Sequence, residues 1–159
     1  MNYLTADLLD ATPTLQACEA GLMHYRGVRR FTGRAVTLRA FEDNGLVREL
    51  LREPGPGRVL VVDGGGSMRC ALLGDQLAGS ARANGWSGVI IDGCIRDSVT
   101  LAALPVGVMA RGVQPRRSDK RGQGVQGVAI EPLGARVSPG DFVYADEDGV
   151  VFSPQALHE

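Results

Sequence analysis

The sequence has few of the side chains on which many enzymes depend for acid–base and metal chemistry. Its 159 residues include two histidines, His24 and His158, and three cysteines, Cys18, Cys70 and Cys94. This supply of imidazole argues against histidine metal clusters and histidine-based catalytic triads. The odd number of cysteines, without Cys-x-x-Cys spacing, argues against a disulfide framework or a thiolate zinc site. We expect reduced thiols, with Cys94 either a small buried side chain, which we favour, or a nucleophile.

The sequence also lacks an excess of charge and a long hydrophobic run. It carries 17 basic and 18 acidic residues, a formal net charge of -1, which argues against bulk electrostatic attraction to nucleic acid or to an anionic membrane. No apolar stretch approaches the roughly 20 residues of a membrane-spanning helix, and the first residues lack the basic start and apolar run of a signal peptide. We therefore expect a cytoplasmic protein with neither a membrane nor a direct nucleic-acid partner.

One local exception to this charge balance is the basic run at residues 116–121, Arg-Arg-Ser-Asp-Lys-Arg. Such a run is typical of a solvated or intersubunit loop, which is the interpretation we favour. The alternative is a binding site for an anionic partner.

Three common nucleotide and esterase motifs are also absent. Residues 64–69, Gly-Gly-Gly-Ser-Met-Arg, follow a predicted strand as a dinucleotide fingerprint would, but Arg69 stands where the last glycine is needed. The same residue breaks the Gly-x-Ser-x-Gly pattern of serine esterases, and no Walker lysine follows. A nicotinamide cofactor, nucleotide hydrolysis and serine esterase chemistry therefore lose support.

The composition, with 44% hydrophobic residues and 22 glycines, is typical of a turn-rich α/β protein, and its length suits a single domain over residues 1–159. The predicted helices are one capped by Thr5 that includes Leu8 and Leu9, residues 44–52 capped by Asp43, one opened by Asp75 and closed by Gly85, and residues 98–104. The predicted strands are residues 35–41, 58–63, 89–91, 106–110, 125–131, 135–137, 142–145 and 150–152, with a hairpin turn at Asp148-Gly149. This order predicts a mixed α/β/β layered domain with its helices on one side.

The candidate site lies where the predicted helix opened by Asp75 meets the corner that follows strand 89–91. The first turn of that helix presents free N–H groups to a small carboxylate or phosphate, and Gly74 allows a ligand to come close. Arg96 can add a bidentate fork to the same anion, and Asp97 can hold a hard divalent cation directly or through water. The alternative is that Asp75 and Asp97 only cap their helices while Arg96 forms a surface salt bridge.

Five segments together resemble a known family over nearly the whole chain. They are Phe41-Glu42-Asp43-Asn44, Val61-Val62-Asp63-Gly64-Gly65-Gly66-Ser67, Leu73-Gly74-Asp75-Gln76-Leu77, Gly93-Cys94-Ile95-Arg96-Asp97 and Tyr144-Ala145-Asp146. In these segments the chain is similar to the family of the regulator of ribonuclease E activity A (RraA-like). Some members were once named demethylmenaquinone methyltransferases, and others are metal-dependent 4-hydroxy-4-methyl-2-oxoglutarate aldolases and oxaloacetate decarboxylases.

The resemblance implies a swivelling β/β/α-type fold and a homotrimeric ring, or a hexamer made of two such rings, with active sites between subunits. It assigns binding of a small 2-oxo acid to the helix start, contact with that substrate to Arg96, and positioning of Mg²⁺ or Mn²⁺ to Asp97. The residues implied at the helix start are Gly74, Asp75, Gln76 and Leu77. Family members that act as ribonuclease regulators can lack the Gly-Asp and Arg-Asp pairs; this chain keeps both, which favours chemistry.

We therefore expect a divalent-metal lyase that cleaves a C–C bond of a small 2-oxo acid to give pyruvate. Arg96 would stabilise the enolate charge, Asp97 would orient the metal through its water shell, and Asp75 would orient a water that supplies the proton. Aldolase members resemble longer chains with an acidic helical segment near the C-terminus. Its lack favours oxaloacetate decarboxylation over aldol cleavage, because decarboxylation needs no base for a hydroxyl proton; residues 146–148 have the letters but suit a turn.

Two other functions remain open at this point. One is a non-catalytic protein that binds and inhibits ribonuclease E or an RNA helicase, as the family name suggests. The other is a trimeric scaffold with a vestigial pocket. The sequence itself does not choose between these and the lyase.

Overall fold

The computed structural model describes residues 2–25 and 27–157, so His158 lies outside the described residues. Within them, the helices are α1 (Thr5–Ala11), α2 (Gly45–Leu51), α3 (Asp75–Ala83) and α4 (Ser98–Leu101), with a 3₁₀ turn at Pro132–Gly134. The strands are β1 (Gln16–Ala17), β2 (Met23–His24), β3 (Phe31–Arg39), β4 (Arg58–Asp63), β5 (Ala71–Leu73), β6 (Gly88–Ile95), β7 (Gly107–Val113), β8 (Val125–Gln126), β9 (Phe142–Ala145) and β10 (Val150–Ser153).

The strands form one mixed sheet in the order β1-β10-β9-β3-β4-β6-β7-β2, with β5 paired to β6 and β8 paired to β3. Its centre, β3-β4-β6-β7, is parallel, and the β9-β10 hairpin adds to it antiparallel. Every residue of β6 is buried, as expected for a central parallel strand that is covered on both faces. Because the central strands are parallel, their carboxyl ends meet at one edge, and the candidate site lies there.

Each face of the sheet carries its own core. On the helical face, Leu51 of α2 and Ala78 of α3 pack against residues such as Leu60 of β4. On the other face, Phe31 and Phe152 pack with residues that come mainly from the sheet and the following turns. The helices α2, α3 and α4 therefore cover one face, which confirms the predicted mixed α/β fold class.

Several predicted boundaries were wrong. Strand 35–41 starts earlier, at Phe31, and strand 89–91 extends in both directions to Gly88–Ile95. Residues 135–137 form no strand in the described chain; only a single bridge joins Val137 to Ile130, because the 3₁₀ turn before them interrupts any ladder. Predicted strand 125–131 shortens to Val125–Gln126, and predicted helix 98–104 shortens to Ser98–Leu101.

Two predicted caps were also wrong. Leu4, not Thr5, occupies the N-cap position of α1, and Thr5 is the first helical residue. Its hydroxyl and amide both donate to the buried carboxylate of Asp146. The N-cap of α2 is Asn44, although Asp43 Oδ1 does accept the N–H of Gly45 at 2.9 Å.

The end of α3 agrees with the prediction that Gly85 closes the helix. Gly85 has φ +80°, its N–H donates to the carbonyl of Arg82, and the N–H of Trp86 donates to the carbonyl of Ala81. These two bonds form a Schellman motif, in which the left-handed residue is most easily a glycine. The motif directs the chain into β6 and so fixes the entry of the strand that ends at Arg96-Asp97.

The long apolar helix of a membrane span was not expected from the sequence. Within residues 2–25 and 27–157, no helix is both long and apolar enough to cross a membrane.

Candidate active site at the start of helix α3

The site is a corner where two neighbouring strands end. Leu73 at the end of β5 pairs with Ile95 at the end of β6, and the N–H of Arg96 donates to the carbonyl of Leu73 at 2.9 Å. The chain then turns into α3 after β5 and into α4 after β6. This pairing brings Gly74 and Arg96, 22 residues apart in sequence, to the same place, as the sequence predicted.

Asp97 joins the two turns through its carboxylate. Its Oδ2 accepts the N–H of Asp75, the first residue of α3, at 2.9 Å. The backbone of Asp97 lies in the left-handed region, with φ 58° and ψ 40°, a conformation that aspartate and asparagine tolerate better than most residues. The second oxygen, Oδ1, has no hydrogen-bond partner among residues 2–25 and 27–157 and is therefore open to a ligand.

Gly74 is small because the Asp97 carboxylate lies against it. A Cβ placed on Gly74 would lie 2.7 Å from Asp97 Oδ2 and 3.5 Å from the Cγ and Nε atoms of Arg96. Gly74 has φ -130° and ψ -166°, an extended conformation open to any residue, so the need for glycine comes from close approach and not from the backbone.

The start of α3 offers two free donors. The N–H of Asp75 is taken by Asp97, and the first N–H bonded back to Gly74 is that of Ala78, at 3.0 Å. The N–H groups of Gln76 and Leu77 have no partner in the described chain, as is usual in the first turn of a helix. With the positive end of the helix dipole, they can bind a carboxylate.

Arg96 is half-buried, and its guanidinium stays largely uncommitted. Its one hydrogen bond within the described residues runs from Nη1 to the carbonyl of Pro115 at a long 3.4 Å, and it forms no ion pair there. The alternative that these residues only cap and salt-bridge is wrong in its details. Gly74 rather than Asp75 is the N-cap of α3, and Asp97, at the N-cap position of α4, makes no side-chain cap bond there.

A cavity of about 770 Å³ opens over this corner. All six predicted site residues line it: Gly74, Asp75, Gln76, Leu77, Arg96 and Asp97. The sequence analysis missed the rest of its wall, to which α2 contributes Arg48 and Arg52 and the basic run contributes Arg117, Lys120 and Arg121. The charge of that run was visible in the sequence, but its place beside the site was not.

Asp43 explains why the basic run lies at the cavity. Its buried carboxylate accepts the N–H groups of Gly45, Arg121 and Gly122 at 2.9–3.1 Å. Burial alone would raise the pKa of Asp43, but these backbone hydrogen bonds, with one from Gln123, outweigh it and lower the pKa. The carboxylate thus fastens loop 119–123 to the start of α2.

The donor set at the corner suits a hard cation held by few protein ligands. No group of three or more histidine, cysteine or acidic side chains is placed to hold a metal within the described part of the chain. Asp97 offers one free carboxylate oxygen, and Asp75 lines the same cavity. Magnesium commonly binds through one or two carboxylates, with waters and substrate oxygens completing its shell, so these residues fit it.

Two other predictions near the site are settled by burial and hydrogen bonding. Cys94 is fully buried, and burial raises the pKa of its thiol, which confirms the structural role over a nucleophilic one. Asp146 Oδ1 accepts the N–H groups of Asp148 and Gly149, so residues 146–148 do form a turn.

Comparison with known proteins agrees with this geometry. The family described as RraA-like, Aldolase/RraA, matches residues 5–152. A protein of Laribacter hongkongensis named "Putative 4-hydroxy-4-methyl-2-oxoglutarate aldolase" is 54% identical over 99% of both chains. The RNA-processing inhibitor RraA from Thermus thermophilis superposes with a TM-score of 0.95 at 45% identity, over 99% of this chain and 96% of that one.

A second solved structure carries a third kind of name. It is titled an S-adenosylmethionine: 2-dimethylmenaquinone methyltransferase from Geobacillus kaustophilus, and it superposes with a TM-score of 0.93 at 52% identity, over 98% of this chain and 97% of that one. The names of these relatives state three different roles, so the function of this chain must be argued from its own site. Sequence and fold nevertheless agree on kinship: the chain belongs to the RraA-like family.

Proposed function

We propose that the protein is a divalent-metal-dependent lyase that cleaves a C–C bond of a small 2-oxo acid and releases pyruvate. The observation that carries the proposal is the corner itself. One free aspartate oxygen, one uncommitted guanidinium and two free helix N–H groups line the same cavity. Names of the 4-hydroxy-4-methyl-2-oxoglutarate aldolase type among close relatives support the same reaction class.

The start of α3 and Arg96 bind the substrate in this proposal. The N–H groups of Gln76 and Leu77 donate to the C1 carboxylate, and Gly74 leaves room for it. The Arg96 guanidinium lies beside Gly74 and stabilises the negative charge that develops on the C2 oxygen as the bond breaks. A donor that is in place before the reaction stabilises this charge at little reorganisation cost.

Asp97 and Asp75 hold the cation and its waters. Asp97 would bind Mg²⁺ or Mn²⁺ through Oδ1 or through a water, since its Oδ2 is used by the N–H of Asp75. The cation, when bound, supplies Lewis acidity to the oxygens of the 2-oxo acid. The exposed Asp75 carboxylate is free to orient a water that protonates the product.

Oxaloacetate decarboxylation is the variant of the reaction that we favour. Aldol cleavage requires a group that accepts the proton of a hydroxyl, whereas decarboxylation does not. Among the described residues that line the cavity there is no histidine to serve as such a base.

The test compares wild type with Asp97→Asn. Asparagine tolerates the left-handed backbone and keeps an oxygen for the N–H of Asp75, but it removes the charge. We expect metal-dependent pyruvate release from oxaloacetate, above the metal-only background and abolished by EDTA, to fall about 10- to 100-fold in the variant. Mn²⁺ binding, followed by electron paramagnetic resonance, should weaken in parallel.

The matched control is Asp10→Asn, which alters an exposed aspartate of α1 away from the cavity. It should retain wild-type turnover and Mn²⁺ affinity. No turnover by wild type above background would overturn the lyase proposal.

A second candidate function is inhibition of ribonuclease E by direct binding, which the name of the Thermus structure favours. Slower ribonuclease E cleavage of an RNA substrate, produced equally by the purified wild type and by the Asp97→Asn variant, would support it. Inhibition that is absent with both proteins would remove it.

We propose a homotrimer, or a hexamer of two trimers, as the assembly. Phe41, Met68 and Val113 follow or end β3, β4 and β7 at one sheet edge, and each is about half exposed. Exposed apolar side chains grouped in this way are typical of an interaction surface. Light scattering should give three or six times the chain mass of 16.8 kDa, and a monomer would contradict the assembly.

A further inference from the structure

The cavity holds more positive charge than the proposed reaction uses. Its lining includes six basic and three acidic side chains. Besides Arg96, the basic residues are Arg48, Arg52, Arg117, Lys120 and Arg121. None of the six forms an ion pair with a carboxylate within 4.0 Å in residues 2–25 and 27–157. Uncompensated charge inside a concave surface attracts and retains anions.

Arg48 and Arg52 occupy one face of α2. They are four residues apart, which places their side chains one above the other on a helix. Both are exposed, whereas Val47, Leu50 and Leu51 of the same segment are buried in the core. The helix is thus anchored by its apolar side while its two arginines face the cavity.

The size of the cavity indicates a ligand longer than pyruvate. About 770 Å³ lies within the range of roughly 300–1,000 Å³ that holds drug-sized ligands. The 2-oxo group and C1 carboxylate bound at Gly74 and Arg96 would fill only one part of it. The remainder is bordered by the arginines of α2 and by loop 117–122.

We propose that Arg48 and Arg52 are specificity-determining residues that bind a second carboxylate of the substrate, remote from its 2-oxo group. The inference rests on the proposed function, because it assumes a 2-oxo acid at the Arg96 corner. A planar guanidinium fork suits a carboxylate, and loop residues Lys120 and Arg121 add to the field. The site therefore selects 2-oxo diacids over 2-oxo monoacids of the same length.

The experiment measures binding of two unreactive probes by isothermal titration calorimetry with Mg²⁺ present. 2-Oxoglutarate carries the remote carboxylate, and 2-oxopentanoate has the same five-carbon chain without it. Wild type should bind 2-oxoglutarate about tenfold more tightly, as expected for charge-assisted hydrogen bonds at a partly solvated site. The double variant Arg48→Met, Arg52→Met should lose this preference while its affinity for 2-oxopentanoate is unchanged.

Methionine keeps the length and helix propensity of these side chains, so α2 should remain folded. The matched control is Arg82→Met, which changes an exposed arginine of α3 that does not line the cavity. It should keep the wild-type preference. With oxaloacetate as substrate, the double variant should raise KM while kcat changes little, since the arginines contact a part of the substrate that binds before the bond breaks.

Two results separate this inference from the proposed function. If wild type releases pyruvate but binds both probes equally, or if the double variant keeps the preference, the role of Arg48 and Arg52 is overturned and the lyase stands. If wild type binds neither probe and releases no pyruvate above background, the lyase proposal fails, and this inference fails with it.

Discussion

Gly74 shows how one missing side chain can define a site. Without a Cβ, this residue lets the Asp97 carboxylate reach the first N–H of α3 and lets the stem of Arg96 pass at van der Waals distance. Any larger residue would push the carboxylate away from the helix start, because the two atoms would be 2.7 Å apart. The backbone at Gly74 is extended, so that shift is the main consequence of a substitution.

For Gly74→Ala we therefore expect a large loss of activity with little loss of stability. Displacing a catalytic group by about 1 Å can cost about 100-fold in rate, whereas moving one exposed carboxylate changes the free energy of unfolding by about 1 kcal/mol or less. Pyruvate release and urea unfolding measure the two effects.

Gly79→Ala in the same helix is the control, since nothing lies within 4 Å of a Cβ added there. It should raise stability by about 0.5–1 kcal/mol and leave activity unchanged, because alanine favours a helix interior. Equal activity in the two alanine variants would contradict the role assigned to Gly74.

At the scale of elements, the wall of the cavity depends on how loop 119–123 is attached to α2. Asp43 accepts N–H groups from both, and the amide of Asn44 donates to the carbonyl of Asp119 at 2.9 Å. The loop contains few apolar residues of its own, so these bonds decide its position.

Asp43→Ala should release this loop. Three buried or half-buried donors would lose their acceptor, at a cost of about 1–3 kcal/mol in the free energy of unfolding. Trypsin should then cut after Arg117, Lys120 or Arg121 faster than in wild type, and affinity for 2-oxoglutarate should fall. Asp119→Ala, which removes an exposed carboxylate from the same loop, should behave as wild type; equal cleavage rates in both variants would show that Asp43 does not hold the loop.

The elements also show what the sequence could predict. Strand 58–63 was found at its true bounds, because its run of branched apolar residues is enclosed by glycine, proline and aspartate. The corner was found because Gly74-Asp75 and Arg96-Asp97 carry chemistry in the local sequence.

Features that depend on distant partners were missed. Strand β6 was predicted too short because Asp92 does not resemble a buried strand residue; its charge is paired with Arg111 of β7. The basic wall was missed because it forms only when Asp43 binds a loop about 80 residues away. Local patterns contain no signal for either contact.

At the scale of the whole molecule, Asp146 ties the two ends of the chain together. It lies in the β9-β10 turn, and its buried carboxylate accepts the amide and hydroxyl of Thr5 at 2.7 Å each. The same carboxylate also accepts the turn amides of Asp148 and Gly149. Helix α1 is thereby fastened to a hairpin 141 residues later in the sequence.

This arrangement makes the stability of the fold depend on pH. Burial by itself would raise the pKa of Asp146, but the hydrogen bonds from Thr5, Asp148 and Gly149 outweigh it and hold the pKa below its ordinary value of 3.8. A carboxyl whose pKa is lower in the folded state stabilises the fold above its unfolded pKa, and that contribution is lost as the pH falls through the folded pKa. We therefore expect the free energy of unfolding to decline below about pH 4, with Asp43 contributing in the same direction.

Asp146→Asn tests this expectation. The amide would direct an N–H toward a donor of Thr5, so the variant should lose about 1–3 kcal/mol at pH 7 and show a shallower decline in acid, because one titrating group is gone. Urea unfolding between pH 2.5 and 7 measures both, at one protein concentration because association of copies adds its own term. Asp148→Asn, at an exposed neighbour, should reproduce the wild-type curve. Parallel acid slopes for wild type and Asp146→Asn would show that other carboxylates govern the acid stability of the fold.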